Sequence, residues 1–143
     1  MEAVTMVSYS YLEGMEKDFY KTITTTENKD LPGSKDLNYL VATPSIIDIV
    51  IDGASQMLDS MIPEDLISVG TRIELSHEHP TLIGEKINLR IKVDKVINNK
   101  VFLDFLGTDS KGVFCRGKYE RHIVSREKLK EAAYDRCLGK PQH

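Results

Sequence analysis

The change of hydrophobic period at Pro63, from helical to strand, limits the folds open to this chain. Over residues 45–61 the apolar side chains Ile46, Ile47, Val50, Ala54, Met57, Leu58 and Met61 recur at helical spacing, while Asp48, Asp52, Ser55 and Asp59 form a polar stripe. After Pro63 the period becomes two. Residues 67–77 read as one strand, and Ile87, Leu89, Ile91 and Val93 alternate with Lys86, Asn88, Arg90 and Lys92 in the next. Asn98-Asn99 is a turn leading into residues 101–108, and Asp109-Ser110-Lys111-Gly112 is a second, leading into residues 113–123. The spacing predicts a meander of four strands. Upstream, residues 15–25 favour a further strand, and polar residues 26–36, with Pro32-Gly33, predict a surface loop able to act as a lid. Ser125 caps a last amphipathic segment over 126–137, which Gly139-Lys140-Pro141 ends.

An antiparallel sheet of about five strands has one face to bury, and the segment at 45–61 is the only long apolar element able to cover it. This predicts an α+β chain with the hot-dog fold: a sheet wrapped around one central helix, plus a short C-terminal helix. A length of 143 residues suits a single domain over 1–143, with its core at about 14–124. Such a domain leaves a sheet edge uncovered, so a homodimer is expected.

Composition narrows the partners. With 41% hydrophobic and 29% charged residues the chain resembles ordinary soluble domains, and no apolar run is long enough for a membrane span. Glu2 stands where a secretory signal carries positive charge, so the cytoplasm is the expected location. A net charge of −3 argues against nucleic acid. Cys115 and Cys137 are too few and too far apart for a metal site or disulfide scaffold, and no cofactor is implied.

The residues able to carry chemistry are few. Counting by twos, Val69, Thr71, Ile73, Leu75 and His77 share one strand face and Gly70, Arg72, Glu74 and Ser76 the other, which aims His77 inward. An inward imidazole at a strand end serves either catalysis or a buried hydrogen bond. Thr43-Pro44 reads as N-cap and first helical residue, so the Thr43 hydroxyl is a cap, a catalytic group, or both. The aspartate stripe is read as solvated or partner-facing against a catalytic use, and Tyr119 as a core residue with its hydroxyl at the sheet rim. Arg116, Lys118, Arg121, Arg126, Lys128 and Lys130 form either a solvated face or an attractor for phosphates. Cys115 points inward as a small apolar residue, with no histidine placed beside it by spacing.

Ala42-Thr43-Pro44, Ser68-Val69-Gly70-Thr71, His77 with Gly84, and Gly117-Lys118-Tyr119-Glu120-Arg121 together resemble the fluoroacetyl-CoA thioesterase-like family of hot-dog proteins. The resemblance implies an acyl-CoA thioesterase acting on a small or medium acyl chain, with a threonine, a helix glutamate and the strand histidine cooperating. Thr43 and His77 match two of these, and Gly70, Thr71, Tyr119 and Arg121 fall at substrate-binding positions. The glutamate would fall at Ile51. Asp48 is the nearest replacement, about 60° around the helix, with Asp52 about 100° away. The missing carboxylate motivates an alternative, a non-catalytic acyl-CoA or acyl-ligand binding protein. A hot-dog hydratase is disfavoured, because no aspartate-histidine pair five apart opens the helix.

Overall fold

One helix packs its apolar stripe onto the buried face of the sheet, and the sheet curls to meet it. The computed structural model describes residues 8–25, 27–28 and 35–139. In chain order the elements are β1 (Glu16–Thr22), α1 (Thr43–Asp59), β2 (Leu66–His77), β3 (Lys86–Ile97), β4 (Lys100–Asp109), β5 (Gly112–Ser125) and α2 (Arg126–Cys137). The run Ile46 to Ile51 has five β-branched residues in six, which disfavours a helix in isolation. Burial holds it: Ile46, Val50, Ala54, Met57 and Leu58 are all buried against Ile87, Leu89, Ile91, Val93, Leu103 and Phe105 of the sheet. Gly53 lets helix and sheet approach, since a Cβ there would lie 2.9 Å from Ile91 Cδ1 and 3.0 Å from Phe19 Cε2.

The strand order is β1-β3-β4-β5-β2, all antiparallel, so the expected meander of four strands is one of three, β3 to β5. β2 pairs with β5 on the far edge instead of with β3. The segment after His77 forces this by crossing the start of α1: Val41 N–H donates to Thr81 C=O at 2.8 Å, and Leu40 bridges Leu82. The hairpin at Asn98-Asn99 is as expected, with Asn98 left-handed at φ 55°.

Two bulges correct the simple alternation. In β2 the register slips between Gly70 and Arg72, leaving Thr71 as the extra residue. Ser68 is therefore buried while Val69 is only half-buried, and the inward phase resumes at Ile73, Leu75 and His77. In β5 the slip near Gly107 makes Phe114 the extra residue, so that Phe114 and Cys115 are both buried.

At the periphery, β1 is shorter than the 15–25 expected, because after Thr22 the chain leaves the sheet. Of the expected lid loop, residues 26 and 29–34 lie outside the described residues. Helix α2 begins as expected, with Ser125 Oγ accepting from Lys128 N–H at 3.2 Å, yet it buries no residue. The amphipathic expectation fails there, because Leu129 and Tyr134 are too sparse among charges to make a stripe.

Close packing between β5 and its neighbours is testable at Gly117, where a Cβ would sit 2.0 Å from Glu74 C=O and 2.3 Å from Phe105 Cζ. Gly117→Ala is expected to lower unfolding stability by about 2 kcal/mol or more in denaturant titration, as overpacking does.

Candidate functional site

The start of α1 is fixed from outside the helix. Asn28 Oδ1 accepts from Ala42 N–H at 2.9 Å and from Ser45 Oγ at 2.8 Å, while its Nδ2 donates to Leu40 C=O at 2.8 Å. The N-cap is Ala42, with no side-chain cap, and Thr43 is the first helical residue. Thr43 is thus not the N-cap that the Thr-Pro pair predicts. With Asn28 tying down the chain, its hydroxyl turns to the sheet, where Thr43 Oγ1 lies 2.8 Å from His77 Nδ1.

His77 ends β2 on the inward face, as its strand phase predicts, with the edge of Phe114 against its ring at 6.2 Å between centroids. Burial holds its imidazole below the ordinary histidine value, and the nearby His79 backbone pulls weakly the other way. The ring is therefore neutral at pH 7, with a lone pair available at one nitrogen. His77 Nε2 is buried and has no hydrogen-bond partner among the described residues. Across the strands His77 stands opposite Cys115, a neighbour that spacing along the chain did not reveal. Burial pushes the Cys115 thiol up to about 12, so it stays protonated and packs as a small apolar group.

A second cluster centres on Arg121 of β5, which stands opposite Gly70 of β2. Arg121 is only 3% exposed. Its Nε donates to Ser68 Oγ at 2.9 Å, Nη1 to the Tyr119 hydroxyl at 2.7 Å, and Nη2 to Ser55 Oγ at 2.9 Å and to Ser68 C=O. Asp59 Oδ1 accepts from Ser68 N–H and Oγ at 2.9 and 2.8 Å. Arg121 is thus no part of the surface basic face. Gly70 makes room for the Tyr119 ring that Arg121 bonds to, because a Cβ there would be 2.3 Å from the Tyr119 hydroxyl. Gly70, Thr71, Tyr119 and Arg121 all line a groove of about 520 Å³ between α1 and β2, and Ile51 and Ser55 form its helix wall.

The four substrate-binding candidates are therefore together, and so are Thr43 and His77. Within one protomer the two groups are apart: Ile51 is eight residues down the helix from Thr43, about 12 Å along its axis. Asp48 and Asp52 are exposed, Asp52 accepts from Gln56 Nε2 at 3.0 Å, and neither hydrogen-bonds His77. Sequence reasoning missed Asn28, Ser55, Ser68 and Phe114. The bulges hid Ser68 and Phe114, whereas Asn28 acts across a loop without periodicity. Among the described residues no three His, Cys, Asp or Glu side chains could hold a metal ion, and no helix is long and apolar enough to cross a membrane.

Residues 22–127 match the family of the fluoroacetyl-CoA-specific thioesterase. No curated protein sequence matches the chain. Among solved structures, a hot-dog-like protein from Thermanaerovibrio acidaminovorans is 26% identical, with a TM-score of 0.85 over 91% of this chain and 97% of that one. A hypothetical protein of the thioesterase superfamily from Thermus thermophilus is 19% identical, with a TM-score of 0.78 over 89% and 93%. A point mutant of the fluoroacetyl-CoA-specific thioesterase FlK is 14% identical, with a TM-score of 0.78 over 87% and 96%. These likenesses confirm the hot-dog fold.

The half-buried, neutral state of His77 has a pH signature. An imidazole held low in the fold loses stability relative to the unfolded chain as pH falls below the ordinary value of 6.5 and through its folded value. NMR titration of the ring is expected to show His77 protonating below 6.5, and His77→Gln is expected to flatten the acid side of the stability profile.

Proposed function

Because the chain belongs to the fluoroacetyl-CoA-specific thioesterase family, we propose that it is an acyl-CoA thioesterase releasing a small or medium acyl group, with Thr43 and His77 as its reactive pair. The 2.8 Å contact between Thr43 Oγ1 and His77 Nδ1 carries the reading. A hydroxyl within hydrogen-bond reach of a neutral imidazole is the nucleophile-and-base arrangement of acyl transfer. His77 takes the Thr43 proton as Oγ1 adds to the thioester carbonyl, then passes it to sulfur as the C–S bond breaks and CoA thiol leaves. Water, deprotonated by the same imidazole, cleaves the threonyl ester and regenerates the hydroxyl. The net reaction is thioester plus water to carboxylic acid plus CoA thiol, with no cofactor required.

The working form in this reading is a homodimer joined along β2, which is a 12-residue edge strand. A two-fold axis near the middle of its second half runs the strands antiparallel and brings each Arg121 groove toward the other protomer's His77. That arrangement supplies a partner for Nε2, which has none among the described residues, in Asp48 or Asp52 of the second copy. The cytoplasm, where acyl-CoA is made and used, is the proposed location. A second reading, an acyl-CoA binding protein without turnover, is favoured by one observation: Ile51, 41% exposed, occupies the position where the resemblance implies a glutamate.

A free-thiol assay from acetyl-CoA to octanoyl-CoA separates the two readings. Thiol release is expected, with His77→Ala slowing it by about two to four orders of magnitude while the fold stays intact. CoA-ester binding without release, or an unaffected His77→Ala rate, would contradict the thioesterase. Sedimentation is expected to give twice the chain mass. Ile51→Glu is expected to raise turnover of neutral acyl-CoA if no aspartate supplies the carboxylate; if one does, Asp48→Asn or Asp52→Asn lowers the rate instead.

A further inference from the structure

Arg121 is a buried cation whose immediate partners are all neutral. Four of its five N–H groups are used: one at Nε, one at Nη1 and two at Nη2, donating to the two serines and the tyrosine. One N–H of Nη1 is left over. Among the described residues no carboxylate forms an ion pair with it; the nearest in its network, Asp59, reaches it only through Ser68. Burying a charge without a counter-ion is costly, and hydroxyls and a carbonyl compensate it only in part.

The groove beside Arg121 supplies no anion. Its helix wall is Ile51 and, one turn on, Ser55, which holds Nη2. Val69, Gly70 and Ile73 contribute the strand wall, and Arg72 at its mouth is already paired with Glu74. The cavity is thus largely apolar with a fixed guanidinium at one wall, a shape suited to a short methylene chain ending in a negative charge. A phosphate of CoA fits less well, being too bulky for a cation this buried.

On the thioesterase reading above, we propose that the protein selects acyl-CoA esters whose acyl chain ends in a second carboxylate, and that Arg121 receives that carboxylate. The remaining Nη1 proton, with the Tyr119 hydroxyl beside it at 2.7 Å, forms the contact, and Ile51 packs on the methylenes. An apolar Ile51 is then a specificity feature, because a carboxylate at that position would neutralise Arg121 and repel the substrate's own charge.

The test compares succinyl-CoA with butyryl-CoA, which match in chain length. The wild type is expected to prefer succinyl-CoA by about tenfold or more in kcat/KM, mainly through KM, the range of one charge-assisted contact. Arg121→Met is expected to abolish the preference. Should that variant fail to fold, Ile51→Glu, at an exposed position, is expected to bring the ratio below one. A wild-type ratio of one or less, or a ratio that Ile51→Glu does not move, overturns the proposal. If neither ester is hydrolysed, the thioesterase reading falls by itself, and calorimetric titration with the thioethers S-(3-carboxypropyl)-CoA and S-butyl-CoA decides the specificity. Tighter binding of the acid by about tenfold sustains it, and equal binding overturns it.

Discussion

The structure depends on one sheet face having one helix to cover it. Strands β3 and β4 contribute alternate residues to that face, with β5 and β2 adding to it around their bulges, and α1 supplies the matching apolar stripe. The contact tolerates a helix rich in β-branched residues because burial outweighs a propensity deficit of a few tenths of a kcal/mol per residue. It also fixes the chemistry. Once α1 lies in the curl of the sheet, its first residue must stand beside the inward end of whichever strand passes there, and that strand is β2.

Much of this was legible in the sequence because it follows from period. Clean alternation in β3 and β4 and the turn at Asn98-Asn99 gave their places directly, and the phase of β2 aimed His77 inward. What could not be read is what breaks periodicity or acts across space. The bulge at Thr71 puts Ser68 in the core in place of Val69, and the crossing near Thr81 moves β2 to the far edge. Thr43 was recognisable as a helix start, but only Asn28, distant in sequence, explains why its hydroxyl is not consumed as a cap. Likewise Arg121 was visible at an inward position, yet its neutral surroundings emerge only when Ser55, Ser68 and Tyr119 are placed around it.

Two polar clusters of different character thus share one strand and one helix. Thr43 and His77 form a small, partly buried pair, with one ring nitrogen unpartnered among the described residues, suited to moving a proton. Arg121 and its hydroxyl partners form a rigid cationic wall, suited to holding a charge in place. Their separation by two turns of helix means that one protomer offers each half and a second copy is what unites them in the proposed enzyme. In the proposed homodimer the Arg121 groove of one copy faces the pair of Thr43 and His77 in the other.

The central claim is that Thr43 and His77 act as one catalytic unit. It is tested most directly by a double-mutant cycle on kcat/KM with Thr43→Ala, His77→Ala and the combined variant, using the best substrate from the thiol assay. Groups that act together lose nearly everything with the first substitution, so the double variant is predicted to be no slower than the slower single one. Losses that multiply, or a Thr43→Ala variant as fast as the wild type, would contradict the account.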